Sequence, residues 1–224
     1  PDARLIMMVR EPVQSCESWS RICFEDNNYS RIAYRVVQML FAFDQIAFRM
    51  RDSVGVRLED LKTKPEATLR SLCRWMGIED SPTLYQMTAQ GKKWWGDPSS
   101  PDYDANNAMD PFDTTSIQRS VGSIFSKKDQ FVLRTLFYPF SVRFGYREPD
   151  PVAFEKDLKE IRPLLDELLD FEKVMSERSK IDPDQFKRSG ICLLLHAGLV
   201  DRWDVLNEFK NYPHLLSPLK ITVD

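Results

Sequence analysis

Two short apolar runs, one on each side of a long helical pattern, restrict the fold of this chain more than any other feature. Residues 4–10 form the first run, which is followed by Pro12. The second run extends from Val54 to Leu58, and residues 29–52 between the two runs carry apolar side chains at helical spacing. Continuous apolar runs of this length are typical of strands buried in a parallel sheet. The order strand, helix, strand therefore predicts an α/β fold.

Further helices and one long loop are predicted downstream of the second strand. A helix that follows Thr63 ends at Gly77, which suits a helix C-terminus because glycine adopts left-handed backbone angles readily. Residues 91–114 are rich in Pro, Asp, Asn and Ser and are predicted to form a loop. Another helix is predicted from Lys127 to about Phe144, with Gly145 as its cap.

The last third of the chain has an all-helical pattern. A stripe of apolar residues begins at Phe154, Asp182 and Pro183 predict the start of another helix, and Asp201 is predicted to cap a third. A strand pattern returns only at residues 221–223. We therefore predict two domains, an α/β domain over residues 1–148 and a helical extension over residues 149–224.

Composition excludes several classes of protein. The net charge of −3 argues against a non-specific nucleic-acid binder, which needs a basic excess. No apolar run is long enough to span a bilayer. The four cysteines include no CxxC pair, so we expect a reduced compartment and a cytoplasmic location. We expect no metal site, on the interpretation that the two histidines are remote from the cysteines.

Arg10 and Ser18 are the first candidates for a binding site. Ligands of open α/β sheets bind at the carboxyl ends of the strands, and Arg10 occupies such an end. Its planar guanidinium can donate two hydrogen bonds to one phosphate, and the hydroxyl of Ser18 can add a third. The alternative is a solvated strand end followed by an ordinary helix residue. The spacing alone leaves both interpretations open.

Three segments resemble sulfotransferases that use 3′-phosphoadenosine 5′-phosphosulfate (PAPS). The stretch PDARLIMMVREPVQSCESWS is similar to their 3′-phosphate-binding motif, in which a serine follows the arginine by eight residues. VGVRLEDLKTKPEATLRSLCRWMGIE resembles the strand, Glu-Asp-Leu and helix that follow, and TTSIQRSVGSIFSKKDQFVLRTLFYPFSVRFGY is similar to a closing segment. The resemblance covers roughly residues 1–146. The residues that match the first motif are Pro1, Ala3, Arg4, Arg10, Glu11, Pro12 and Ser18.

The resemblance implies a P-loop nucleotide-kinase-like parallel sheet flanked by helices. It also implies a sulfotransferase that moves a sulfuryl group from PAPS to a hydroxyl or amine of a small-molecule or carbohydrate acceptor. In such a protein Arg10 and Ser18 hold the 3′-phosphate of the nucleotide. Arg119 in the closing segment is a candidate for a further contact, with a surface ion pair as the alternative.

The chain also departs from the family pattern. Leu58 stands where many members have a tyrosine before Glu-Asp-Leu, and Glu59 and Asp60 are expected to be structural. Members bind the phosphosulfate through a loop upstream of the arginine motif and usually take the catalytic base from there. No GxxxxGK[ST] or GxGxxG motif occurs in this chain. We therefore expect the C-terminal part of a sulfotransferase core, with its N-terminal part absent and the catalytic residue unassigned.

The remaining candidates have both functional and structural interpretations. Lys92 and Lys93 next to two tryptophans, Trp94 and Trp95, suit either stacking on adenine or anchoring of the loop. The histidines, His196 and His214, are expected to be packed or exposed and not catalytic. The alternative function is a non-catalytic scaffold whose helical tail, residues 150–224, binds a protein partner.

Overall fold

The computed structural model describes residues 4–49, 52–86, 88–89, 92–93, 103, 106, 110–208, 221 and 223. These residues form a mostly helical structure with two small two-stranded sheets. None of the described helices combines the length and the apolar character needed to cross a membrane.

The first sheet pairs the two strands that the sequence predicts. β1 (Leu5–Val9) and β2 (Ser53–Arg57) are parallel, with Ile6 opposite Val54 and Met8 opposite Val56. The connection between them contains α1 (Pro12–Glu25) and α2 (Tyr29–Arg49). A helical crossover is needed because parallel strands cannot be joined by a tight turn. The coarse prediction of an α/β arrangement with a parallel sheet is confirmed.

Two helices follow β2 directly. They are α3 (Leu58–Thr63) and α4 (Pro65–Met76), and α4 ends at Gly77 with a φ of 70°. The predicted cap at this glycine is therefore confirmed, since only glycine adopts such a φ without a steric cost. Ile221 also contacts β2, because its backbone N–H donates to the carbonyl of Gly55 over 2.9 Å.

The other described elements follow α4 in the chain. A 3₁₀ turn and a short antiparallel ladder, β3 with β4, precede α5, and six helices follow α5 with a 3₁₀ turn between α8 and α9. The bounds are 3₁₀ Pro82–Tyr85, β3 Thr88–Ala89, β4 Lys92–Lys93, α5 Thr115–Gln118, α6 Lys127–Leu136, α7 Tyr138–Arg143, α8 Pro151–Ile161, 3₁₀ Arg162–Asp166, α9 Asp170–Ser179, α10 Pro183–Lys187 and α11 Gly190–Glu208.

Two predicted helix boundaries are wrong. The single helix expected from Lys127 to Phe144 is divided into α6 and α7, because Pro139 has no N–H to donate to the carbonyl four residues earlier. Asp201 does not cap a third helix in the tail. It lies on the exposed side of α11, whose buried positions continue past it to Leu206.

Internal contacts group the described residues into two interleaved units. One unit draws on residues 1–9, 52–119 and 220–224, and the other on residues 10–51 and 120–219. These units have other bounds than the predicted domains, 1–148 and 149–224. The two domains remain a prediction. In the second unit, side chains from α1, α2, α6, α8, α9 and α11 share one core. Its fully buried members include Val13, Ile32, Val36, Val132, Phe154, Phe171 and Leu195.

A buried carboxylate attaches the tail to α6. Asp129 accepts hydrogen bonds from the N–H of Ser126 at 3.2 Å, of Asp170 at 2.8 Å and of Phe171 at 3.0 Å. Each of these N–H groups lies at a helix N-terminus, where it has no partner within its own helix. One side chain therefore caps both α6 and α9. The capping explains why α9 packs against α6 in the same core.

Gly198 allows α11 to approach α2, and we expect Gly198→Ala to destabilise the protein. A Cβ at this position would lie 3.0 Å from Cγ2 and 3.2 Å from Cγ1 of Val37. Overpacking costs about 1–3 kcal/mol, against about 1 kcal/mol that alanine gains over glycine inside a helix. The expected net loss is about 1 kcal/mol of unfolding free energy, measured by urea denaturation. Gly190→Ala is the control, because its Cβ meets nothing within 4 Å. A Gly198→Ala variant as stable as Gly190→Ala would contradict this packing.

Candidate functional site

Arg10 lies between the end of β1 and the start of α1. Its Nε donates to Oε1 of Gln14 over 3.0 Å. Gln14 and Ser18 are four residues apart on α1 and share one face of that helix. The hydrogen bond therefore holds the guanidinium along the helix face that carries Ser18. The structure thus brings two of the predicted site residues to one side of α1, with Gln14 between them.

Glu11, the acidic residue of the Arg-Glu-Pro motif, caps α1. Its Oε2 accepts from the N–H of Gln14 over 2.6 Å, and Pro12 begins the helix without an N–H that needs a partner. Its other oxygen lies 3.8 Å from Nε of Arg134 on α6. The Arg-Glu-Pro motif therefore has a structural role in this chain, because its three residues connect the end of β1 to the start of α1.

Glu17 on the buried side of α1 holds a distant loop. Only 2% of this residue is exposed. Its carboxylate accepts from the N–H groups of Gly122, Ser123 and Phe125 at 2.9–3.2 Å and from the hydroxyl of Ser123 at 2.7 Å. The loop that leads into α6 is therefore fastened to the helix that carries Ser18.

These hydrogen bonds also set the ionisation of Glu17. Burial of the carboxyl raises its pKa, because the charged form loses hydration. The hydroxyl of Ser123 and the N–H groups of Gly122, Phe125 and Ser123 act in the opposite direction and outweigh burial, so the pKa lies below its ordinary value. Glu17 is therefore a carboxylate at neutral pH, and the loop is held by a buried negative charge.

The match to known families covers the first part of the chain. Residues 1–82 match the model described as the sulfotransferase family. These residues, a little over a third of the chain, are thus similar to the sulfotransferase family. Searches of the curated proteins and of the solved structures returned no significant match. The resemblance is thereby confirmed for its first two segments, and that of the third segment remains a prediction.

Within the matched segment, residues 1–82, the Glu-Asp-Leu motif begins α3. Oδ2 of Asp60 lies 3.5 Å from Nε of Arg57. Glu59 and Asp60 both lie in the first turn of α3. Negative charge in this position is favourable, because the N-terminus of a helix carries a partial positive charge. The backbone carbonyl of Glu59 accepts from the hydroxyl of Thr63 over 2.7 Å. These contacts agree with the structural role expected for the two acids.

Arg119 lies outside the matched segment. It directly follows α5, is half-buried, and belongs to the contact unit that contains β1 and β2. Arg10 and Ser18 belong to the other unit. The loop that Glu17 holds through Gly122 and Ser123 begins three residues after Arg119.

His196 lies in a buried polar cluster with Glu172. Its Nδ1 is 2.9 Å from the carbonyl of Leu165, and its Nε2 is 2.8 Å from Oε2 of Glu172. Burial lowers the pKa of His196, but hydrogen bonds with Cys192 and Glu172 and the charge of Glu172 raise it to about 10. Both ring nitrogens face acceptors, which suits an imidazolium. The prediction that His196 is packed agrees with its exposed side-chain fraction of 13%.

Glu172 accepts from further groups in this cluster. The hydroxyl of Tyr29 donates to Oε1, the N–H of Leu169 donates to Oε2 over 2.9 Å, and Sγ of Cys192 lies 3.5 Å from Oε1. Burial and the charge of Glu172 raise the pKa of Tyr29, so that its hydroxyl stays protonated and remains a donor. The cluster therefore joins α2, α9 and α11 through one carboxylate.

Several predicted candidates lie outside the described residues. Trp94, Trp95 and His214 are among them, and so is most of the predicted loop 91–114. Of the Lys92 and Lys93 pair only the backbone is described, as β4 in a ladder with β3.

Two site residues were missed by the sequence analysis. Gln14 could have been found from its spacing, because it is four residues from both Arg10 and Ser18. Glu17 follows Cys16 on the apolar side of α1, and a carboxylate among apolar positions signals a buried hydrogen-bond acceptor. The position of Glu17 does not identify its partners, since the groups that bind it are more than 100 residues away.

Proposed function

We propose that this chain contributes the 3′-phosphate-binding part of a sulfotransferase that uses PAPS. One observation supports the proposal above all others. Arg10 follows β1 and is hydrogen-bonded to Gln14, on the face of α1 that carries Ser18. A phosphate at this position would receive two hydrogen bonds from the guanidinium and one from the hydroxyl. The sulfotransferase family match over residues 1–82, which contains all three residues, adds to this support.

The proposal extends to the sheet and to Arg119. The parallel pair of β1 and β2, with a helical crossover and an arginine at a carboxyl end, is consistent with a P-loop nucleotide-kinase-like sheet. Arg119 would supply a further contact to the nucleotide. It precedes the loop held by Glu17, so α1 would help to keep the closing segment in position.

The proposed chemistry needs orientation and charge stabilisation more than covalent help from the protein. A hydroxyl or amine of a small-molecule or carbohydrate acceptor attacks the sulfur of PAPS in line, and a base removes its proton. The S–O bond to the phosphate breaks, and adenosine 3′,5′-bisphosphate leaves with the bonding electrons. The part of Arg10 and Ser18 is to hold the 3′-phosphate throughout, which fixes the position of the sulfuryl group.

The proposal is tested by the binding of two nucleotides that differ by one phosphate. We expect the protein to bind adenosine 3′,5′-bisphosphate more tightly than adenosine 5′-monophosphate in isothermal titration calorimetry. Arg10→Ala should weaken binding of the bisphosphate by about 2–4 kcal/mol, or roughly 30- to 1,000-fold, because the phosphate loses a charged bidentate partner. Ser18→Ala should cost about 0.5–1.5 kcal/mol, since it removes one neutral donor.

The monophosphate is the matched ligand control, because it lacks the group that Arg10 is proposed to bind. Its affinity should change less than about threefold in Arg10→Ala. Arg188→Ala is the matched protein control, since it removes the same charge from an exposed position beyond α10. If Arg10→Ala bound the bisphosphate within twofold of the unmodified protein, the assignment of Arg10 would be wrong. If the unmodified protein bound neither nucleotide, the non-catalytic scaffold would be the better description.

A further inference from the structure

Three potential metal ligands of different chemistry meet in the core of the second unit. Glu172, Cys192 and His196 each offer one ligand atom, and these atoms all lie within 4.8 Å of one another. Glu172 and Cys192 have no exposed surface. Two of the three ligands are therefore shielded from solvent, and a tetrahedral ion would take its fourth ligand from outside this set.

The two ligands on α11 are arranged for joint coordination. Cys192 and His196 are four residues apart, so they lie on one face of the helix, one turn from each other. The expectation of no metal site treated the histidines as remote from the cysteines and overlooked the Cys-x₃-His spacing of Cys192 and His196. Glu172 reaches the same point from the first turn of α9. Rigid elements thus carry all three ligands.

The groups around the cluster hold two of its ligands in position through hydrogen bonds. The carbonyl of Leu165 lies 2.9 Å from Nδ1 of His196, which turns Nε2 toward Glu172 and Cys192. Metal-binding histidines usually donate their other ring N–H to such a carbonyl or carboxylate. The carboxylate of Glu172 is held in turn by the hydroxyl of Tyr29 and the N–H of Leu169.

The donor set and its dimensions point to one class of metal. Thiolate, imidazole and carboxylate together suit zinc, whereas magnesium and calcium prefer oxygen ligands alone. Tetrahedral zinc separates a sulfur and an oxygen ligand by about 3.5 Å and a nitrogen and an oxygen ligand by about 3.3 Å. Sγ of Cys192 is 3.5 Å from Oε1 of Glu172, and Nε2 of His196 is 2.8 Å from the other carboxylate oxygen, Oε2. One oxygen of Glu172, Sγ and Nε2 all lie within 4.8 Å of one another, so one ion can reach all three after small movements of the side chains.

We propose that Glu172, Cys192 and His196 form a structural Zn²⁺ site that joins α9 and α11. Zinc would take the place of the hydrogen bond between Nε2 of His196 and Oε2 of Glu172 and of the contact between Sγ of Cys192 and Oε1. Tyr29 on α2 orients the carboxylate, so that the ion stabilises the packing of three helices.

The experiment uses Co²⁺ as a spectroscopic probe and Zn²⁺ as its competitor. The purified, reduced protein is treated with a chelator, dialysed and titrated with Co²⁺. We expect one equivalent to bind, with a thiolate-to-cobalt charge-transfer band and the strong visible absorption of tetrahedral Co²⁺. One equivalent of Zn²⁺ should abolish both signals and raise the melting temperature.

Variants distinguish this site from adventitious binding. Cys192→Ser should lose the charge-transfer band, and His196→Gln should weaken Co²⁺ binding at least about 100-fold, because each removes one of three ligands. Cys16→Ser is the matched control, since Cys16 is also a buried thiol but lies beside Met39. Circular dichroism verifies that each variant is folded. If the folded protein bound no Co²⁺, or if Cys192→Ser and Cys16→Ser gave the same spectrum, the site would not exist.

Discussion

Glu172→Ala is expected to lower the free energy of unfolding by about 3–5 kcal/mol, because it leaves a charged and several polar groups buried without their partner. The carboxylate accepts from the hydroxyl of Tyr29 and the N–H of Leu169, and it pairs with Nε2 of His196 at 2.8 Å. The measurement is urea denaturation at neutral pH in the presence of a chelator. The matched control is Glu177→Ala on the exposed side of α9, which should change stability by less than about 0.5 kcal/mol.

The contribution of the pair itself can be separated by a double-mutant cycle. Glu172→Gln and His196→Gln should each destabilise the protein, and the double variant should cost at least about 1 kcal/mol less than their sum. The physical reason is that the second change removes a group that the first has already left without its charged partner. Strict additivity, or a cost below about 1 kcal/mol for Glu172→Ala, would contradict the buried cluster.

Glu17→Gln is expected to cost about 2–4 kcal/mol at neutral pH. The amide replaces one acceptor oxygen by an NH₂ group, which faces N–H donors of residues 122–125 instead of accepting from them. Amide hydrogen exchange of Gly122 and Ser123 should speed up as the loop loses its anchor. Glu25→Gln, at the exposed end of the same helix, is the matched control and should leave both measurements unchanged.

The same residue makes stability depend on pH in the acid range. The pKa of Glu17 is lowered in the folded protein, so its contribution is complete above the ordinary value of 4.5 and is lost as the pH falls through the folded value. The free energy of unfolding should therefore decrease below about pH 4.5 in the unmodified protein. Glu17→Gln should show a shallower decrease over the same range. Parallel curves for the two proteins would show that Glu17 is not charged in the fold.

Local sequence patterns predicted the elements around the site well. The apolar run before Arg10, Pro12 at the first helical position and Gly77 at the end of α4 all specify backbone geometry within a few residues. Asp182 likewise accepts from the N–H groups of Asp184 and Gln185 at the start of α10, as predicted. The division at Pro139 was missed because the apolar spacing continues through it.

The sequence alone thus predicted a parallel strand pair, an arginine at a strand end, and a resemblance to sulfotransferases in the segment that carries both. These features depend on residues close in the chain, where backbone geometry and apolar periodicity act. The partners of Glu17 and Glu172 emerged only from the packed structure. The partners of Glu17 lie 105 or more residues away in the chain. The side-chain partners of Glu172, Tyr29 and His196, lie on two other helices. A carboxylate acquires such partners because packing removes water from around it, and the sequence pattern does not specify which donors will replace that water.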